Sequence, residues 1–389
     1  MIEALITPKM VTWAMKRGNW THELLAKKMS VTIERIIAWE NDNKLERPSF
    51  NQAIQLSNAL NVPLGYLYLS TPPTENIPLP DLRTISNKPI EKPSPDFIDT
   101  LYDAYRKQQW YREYLVAEGV PELEFANKYK ATDNPKVIAA DMQKVLGLND
   151  GLRKDSSNWE DFLRVLVRHV EQTRILVLRN GVVGNNVYRK LDVNEFRGFA
   201  IYDNIAPLVF INAGDYNTAQ IFTLIHEVAH IWIGQSGISN LNYQLKSAQQ
   251  QHSIDRLCDA VAGEVLVPED RLISEWDERK DIEYNIDLLA RYFRVSSFVI
   301  LRRLYTLDLI SKDVFNDKYD SLLTKVRPKS NNKEGGGDFH ALLTTRNSFT
   351  LTSTLIAGLS DGSVSPKEAS QLLNIKMASL TGVEGGLIS

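Results

Sequence analysis

The chain has 389 residues, 45 Lys+Arg against 48 Asp+Glu, a net charge of -3, 43% hydrophobic and 24% charged residues. That length exceeds one ordinary core, so two or more domains are expected, and the near-neutral balance excludes nucleic-acid binding through bulk charge, leaving only a local patch. The single cysteine, Cys258, excludes an intrachain disulfide framework; the start MIEALITPKM lacks the marks of a signal peptide, and no apolar run is long enough to span a bilayer, so a cytoplasmic protein without a membrane partner is expected.

Residues 1–70 are helical in pattern and dense in short elements. The stretch NWTHELLAKKMSVTIERIIAWENDNKLERPSFNQAIQLSNALNVPLGYLYL (19–69) has the rhythm of a helix-turn-helix. Thr21 caps a helix that carries Ala26, the small residue required where two helices cross closely. Met29-Ser30-Val31 is the turn, Thr32 caps the second helix, and Ile36 and Trp39 face the core. These features resemble the XRE/Cro class of DNA-binding domains, expected here as a five-helix domain, with Ser30 where that class usually has glycine. The resemblance implies operator binding through the start of the second helix: Thr32, Ile33, Glu34 and Arg35, with Ala38 a turn later. Ile33 and Ala38 suit thymine methyls, Glu34 suits a cytosine amine, and Arg35, Lys44 and Arg47 suit phosphates. None offers the bidentate base contact of arginine or glutamine. Residues 1–70 hold eight Lys+Arg against six Asp+Glu, only a slight basic excess. A protein-docking role for this domain is the competing expectation. XRE-type domains commonly pair, so a homodimer is the expected assembly.

Residues 71–96 carry seven prolines. Proline lacks the N–H and holds φ, so this is an extended connector. Within it, IPLPDLRT (77–84) is apolar. It reads as a clip between domains or, alternatively, as an autoinhibitory or self-cleaved strand. Helical patterns follow at about 97–118, 135–147 and 158–173. The one clear β signal comes next: RILVLRN (174–180), FRGFAIYD (196–203) and PLVFINA (207–213). More helices are expected over 251–267, 283–293 and 296–307. KSNNKEGGGD (329–338) is a flexible linker by composition, and 339–389 is a small helical domain. LARYFRVSSFVILRRLYTLDLIS (289–311) also has a helix-turn-helix rhythm, but its apolar spacing suits packing against a core. In the tail, Ser365 is a helix cap.

Residues 226–230 read HEVAH in a chain with six histidines. On a helix His226 and His230 project from one face and reach one zinc ion, while Glu227 is displaced to hold a water as general base. Asn217 or Thr218 caps the helix start, and Gly234 and Gly237 end it. The residues around the motif are apolar, so the helix should be buried, and buried histidines beside a buried glutamate are costly without a partner such as a metal. Zincins place an antiparallel edge strand beside this helix for the substrate backbone, a position expected for PLVFINA. Downstream, HSIDRLCDAVAGEVLVP (252–268) sets His252, Asp255 and Asp259 on one helix face, each able to supply a third ligand. The bland reading makes them surface residues opposite Leu257, Val261 and Val265.

Together the two segments resemble the ImmA/IrrE family of metallopeptidases, which carries HELxH and then a helix of the form ExxCNxxAxExLxP. HEVAHIWIGQSG and IDRLCDAVAGEVLVP match in order and spacing, and the resemblance extends over roughly 97–328. It implies a zincin-like fold with a small antiparallel sheet in an α+β, mostly helical chain, bound Zn2+, and cleavage of a protein partner such as a repressor or other regulator. Carried over, His226 and His230 are zinc ligands and Glu227 is the base. The family's third ligand is a glutamate; Asp255 stands in that register, ahead of Asp259 and His252. Asp259 occupies a position where the family usually has asparagine. Tyr202 and Tyr243 are candidate transition-state donors by nearness in sequence. The functional expectation is a zinc endopeptidase coupled to a DNA-binding helix-turn-helix. The alternatives are a DNA-binding repressor or antitoxin of a toxin–antitoxin or phage-control operon, with the peptidase domain as sensor, and an inactive adaptor.

Overall fold

The computed structural model describes residues 2–41, 46–73, 93–239, 253–325 and 338–380. They fall into two compact units, the first comprising described residues up to 73 with 93–98, the second the remainder. Lys44, Tyr243, His252 and the segment IPLPDLRT lie outside the described residues.

The first unit holds α1 (Pro8–Arg17), α2 (His22–Met29), α3 (Ile33–Glu40), α4 (Phe50–Leu60) and a closing 3₁₀ helix, Leu64–Tyr68. The fifth helix expected from sequence is thus a 3₁₀ turn. Thr21 caps α2, its side chain accepting from Leu24 N–H at 3.3 Å. Ser49 and Gln52 close a capping box at the start of α4, satisfying two backbone donors at once. Leu25, Ala26, Ile36, Trp39, Leu56 and Leu60 form the core between these helices. Ser30, in the turn between α2 and α3, has φ 55. This is the left-handed region that glycine enters without the Cβ penalty, which explains the glycine usual there.

The second unit takes in most of α5 (Pro95–Ala117), then α6 (Pro135–Val145), α7 (Asp150–Asp155) and α8 (Trp159–Glu171). After them come β1 (Leu176–Asn180), β2 (Val182–Val183), β3 (Asn186–Lys190), β4 (Gly198–Ile201), β5 (Leu208–Asn212), α9 (Asn217–Ile233) and β6 (Gly237–Ser239). It continues through α10 (Ser253–Leu266), α11 (Glu269–Glu275), α12 (Ile282–Phe293), α13 (Ser297–Thr306), α14 (Lys312–Lys325), α15 (Phe339–Asn347), α16 (Phe349–Asp361) and α17 (Pro366–Leu372).

Four strands make a mixed sheet in the order β1-β5-β4-β6, with β1 and β5 parallel and the other two pairings antiparallel. Two expectations are corrected here. The sheet is not wholly antiparallel, and PLVFINA is not an edge: β5 is hydrogen-bonded on both sides. Its burial on both faces is what a continuous apolar run means in an interior strand. β4 lies farther out, flanked by β5 and the short β6.

Helix α9 is buried from Ala219 to Ile233, as a helix apolar on all sides must be. Ile225, Val228, Ala229 and Trp232 join the α10 residues Cys258, Val261 and Val265 in one core. Trp232 stacks on Phe125 with centroids 4.2 Å apart and donates to Asp141 Oδ2 at 3.0 Å. The 289–311 stretch forms α12 and α13, whose Leu289, Phe293, Ile300 and Leu304 enter the same core.

The C-terminal helices belong to this second unit, and α15 packs on β1. Trp110 donates to Glu368 at 2.9 Å, and Asn374 donates to Asp103 at 2.8 Å. Buried Glu171, at the end of α8, accepts from Ser348 Oγ and, at 3.0 Å, from Phe349 N–H at the start of α16. Ser365 caps α17.

Candidate metal centre and DNA-binding face

The last turns of α9 carry the HExxH residues into the interior: His226 and Glu227 are fully buried and His230 is 2% exposed. The helix begins at Asn217 behind Tyr216, with no side-chain cap, and ends at Gly234, whose φ of 69 closes it in the left-handed region. Gly237 is not part of that ending; it lies in β6.

Helix α10 lies against α9 and matches the histidine spacing with two aspartates four residues apart. His226 Nδ1 is 2.9 Å from Asp259 Oδ1, and His230 Nε2 is 3.6 Å from Asp255 Oδ1. Since the earlier histidine meets the later aspartate, the two helices run antiparallel at the site. The two histidine Nε2 atoms are 3.3 Å apart. Ligand atoms of His226, His230 and Asp255 all lie within 4.8 Å of one another.

This donor set suits zinc. A tetrahedral ion bound at about 2.0–2.1 Å sets its ligand atoms about 3.3 Å apart, and the 3.3 Å and 3.6 Å separations fall near that value. Two imidazoles and one carboxylate also make the three-ligand set of an open catalytic site. Asp259 is placed differently. It faces the outward nitrogen of His226, the role of a carboxylate that orients a ligating histidine. The bland reading of these aspartates as surface groups fails on position, although Leu257, Val261 and Val265 do form the buried stripe.

Electrostatics follow from this crowding of carboxylates. Burial alone lowers the His226 pKa, but the hydrogen bond and charge of Asp259, with Glu227 and Asp255 behind it, raise it to about 9. Burial, with the same carboxylates, pushes the Cys258 thiol well up.

Two glycines make room for the motif. At Gly198 in β4 an added Cβ would lie 2.6 Å from Thr223 Cγ2, 2.9 Å from Phe210 O and 3.0 Å from Glu227 Oε1. At Gly237 it would lie 2.8 Å from His230 Cε1. Sequence reading assigned Gly198 no role and Gly237 only that of ending the helix. A glycine inside the apolar strand FRGFAIYD was the available signal, because it marks close approach; nothing local marked Gly237. Tyr202 follows β4, where burial and the charges of Asp203 and Glu122 raise its hydroxyl.

In the first unit, Thr32, Ile33, Glu34 and Arg35 are exposed at the start of α3, and Arg47 is half-buried. Ala38 is not presented: it is 7% exposed, turned inward beside Trp39. The exposed position one turn on is Ile37, at 41%, which is i+4 from Ile33 and i+3 from Glu34. His22 has its Nε2 against Glu40 Oε2.

A HExxH helix under a small mixed sheet, with a second helix bringing carboxylates to both histidines, defines a zincin-like peptidase architecture. Residues 171–305 match the IrrE N-terminal-like domain family, Peptidase M78, and residues 12–67 match the helix-turn-helix family. The chain thus carries a helix-turn-helix domain near its N-terminus and, farther along, an IrrE N-terminal-like domain. Among curated proteins no match is found. Among the described residues no helix is long and apolar enough to cross a membrane.

Proposed function

We propose that the protein is a zinc-dependent endopeptidase acting on a protein partner, coupled to a DNA-binding domain. The observation that carries this reading is the convergence of ligand atoms of His226, His230 and Asp255 within 4.8 Å of one another beside buried Glu227. When bound, zinc supplies Lewis acidity to the scissile carbonyl and to the attacking water. Glu227 takes the water's proton at its carboxylate and passes it to the leaving amine. Asp259, with Oδ1 2.9 Å from His226 Nδ1, is placed to orient that imidazole so that Nε2 turns toward the ligand point. The buried walls of α9 exclude bulk water and strengthen each of these interactions.

Zinc per chain, measured in protein purified without added metal and in His226→Ala, tests the reading. Near-stoichiometric zinc that vanishes in the variant is the expected result. Zinc absent from both, and not restored by adding it, overturns the peptidase reading. The helix-turn-helix match supports a second reading of biological role, a DNA-binding repressor or antitoxin whose peptidase domain senses a partner. Salt-dependent binding to its own promoter distinguishes that role.

A further inference from the structure

The strand position beside β4 is filled by the chain itself. β6 pairs antiparallel with β4 in the register Gly198↔Ser239, Phe199↔Ile238, Ala200↔Gly237. Both ends of this short ladder lie against the HExxH side chains. An added Cβ at Gly237 would stand 2.8 Å from His230 Cε1, 3.2 Å from its Nδ1 and 3.3 Å from its Nε2, so β6 begins against the Cε1 corner of that imidazole. At the other end Ser239 pairs with Gly198, the residue whose absent side chain makes room for Glu227. Three extended residues thus run from the second histidine toward the general base.

A strand edge accepts a partner through its main chain at one spacing, whatever the partner's sequence. An extended peptide offered to β4 would therefore follow the line that β6 follows. The root of β6 is held by the left-handed Gly234 cap and by Ser236 Oγ, which accepts from Tyr202 N–H at 2.9 Å. Its middle residue, Ile238, is 4% exposed.

We propose that Gly237–Ser239 occupies the substrate's strand position, so that an extended protein segment reaches His226, Glu227 and His230 only by replacing β6 on β4. What enters rests on the peptidase reading above; the occupancy of β4 by β6 does not. The exchange is a small one. An incoming peptide remakes the ladder bonds it displaces, and among the described residues the strand that must leave is three residues long.

The test uses the full chain, with zinc content measured throughout. Two probes are compared: an extended peptide ending in a hydroxamate, and the same peptide ending in a carboxylate. Amide hydrogen exchange is followed in the wild type with and without each probe. The expected result is loss of protection within Gly237–Ser239 at the N–H groups that face β4, while β4 stays protected because the probe takes over its bonds. Ile238→Pro, which fixes φ and removes a backbone N–H and so weakens the strand, should tighten hydroxamate binding at least tenfold. Binding that leaves β6 protected overturns the proposal, as does a zinc-loaded protein whose wild type and Ile238→Pro form both refuse the hydroxamate. Zinc missing from every form sinks the peptidase reading instead. Exchange with the carboxylate peptide then decides the strand proposal by itself, an unchanged β6 counting against it. If Ile238→Pro does not fold, the wild-type exchange still decides.

Discussion

Asp255 and Asp259 stand one helical turn apart and face different nitrogens, and that difference separates a ligand from its neighbour's support. Asp255 approaches the Nε2 side of the histidine pair and Asp259 the Nδ1 of His226. Asp255→Ala should abolish stoichiometric zinc, whereas Asp259→Ala should weaken zinc by about 10–100-fold, the usual cost of losing an orienting partner. Competition with a chromophoric chelator measures both, and equal, complete losses would make Asp259 a ligand. Gly198 is tested by stability. In Gly198→Ala the new methyl meets the Phe210 carbonyl, which cannot swing aside as a side chain can, so urea unfolding should show a loss of about 1–3 kcal/mol. Ser30 predicts the opposite sign. Its left-handed backbone carries a Cβ penalty of about 1 kcal/mol, which Ser30→Gly should relieve, less the entropy glycine loses on folding. An unchanged or lower urea midpoint would mean that this entropy cost wins.

At the scale of elements, the junction of α8 with α16 is pH-sensitive. Burial raises the Glu171 pKa from 4.5 to about 7, against the opposing hydrogen bonds of Ser348 and of the Phe349 and Thr350 backbone. The folded value lies above the unfolded one, so the stabilisation is fully present below about pH 4.5 and is lost as pH rises through about 7. The C-terminal helices should thus exchange amide hydrogens faster at pH 8 than at pH 5.5, after correction for intrinsic rates. Glu171→Gln should flatten that difference; a wild type with no difference would refute it. Element identity was largely legible here, since α9, α10, α12 and α13 follow apolar periodicity and caps. Strand neighbours were not. Alternation and apolar runs say which faces are buried, but pairing partners and edges depend on contacts remote in sequence. β5 was therefore assigned to the edge, and β6, three residues following a glycine-capped helix, went unread.

For the whole molecule, two units bring two chemistries into one chain. The first carries the helix-turn-helix match and a recognition-helix start of Ile33, Glu34 and Arg35, with only a slight basic excess in residues 1–70. Binding of the full chain to its own promoter should accordingly fall with salt, but with a shallow slope set by few phosphate contacts. Arg35→Ala should reduce both affinity and slope, the slope by about one. Titration of labelled DNA at several salt concentrations reads this, and affinity that ignores both salt and Arg35 would favour protein docking. The C-terminal helices lie within the second unit, where Glu171, Trp110 and Asp103 bond to them across more than 150 residues of chain.

From residue types and local spacing alone, the chain declared a capped helix-turn-helix, a buried HExxH helix and a following helix with carboxylates on one face, because these patterns lie within a few turns of chain. Local spacing cannot say which carboxylate meets which imidazole nitrogen. Asp255 and Asp259 share a face, and only the antiparallel packing of α10 on α9 sends one to His230 and the other to His226. The same holds for Gly198 and Gly237, whose missing side chains matter only because Glu227 and His230 are folded against them. It holds too for Ala38, which one helical step turns from the exposed face into the core.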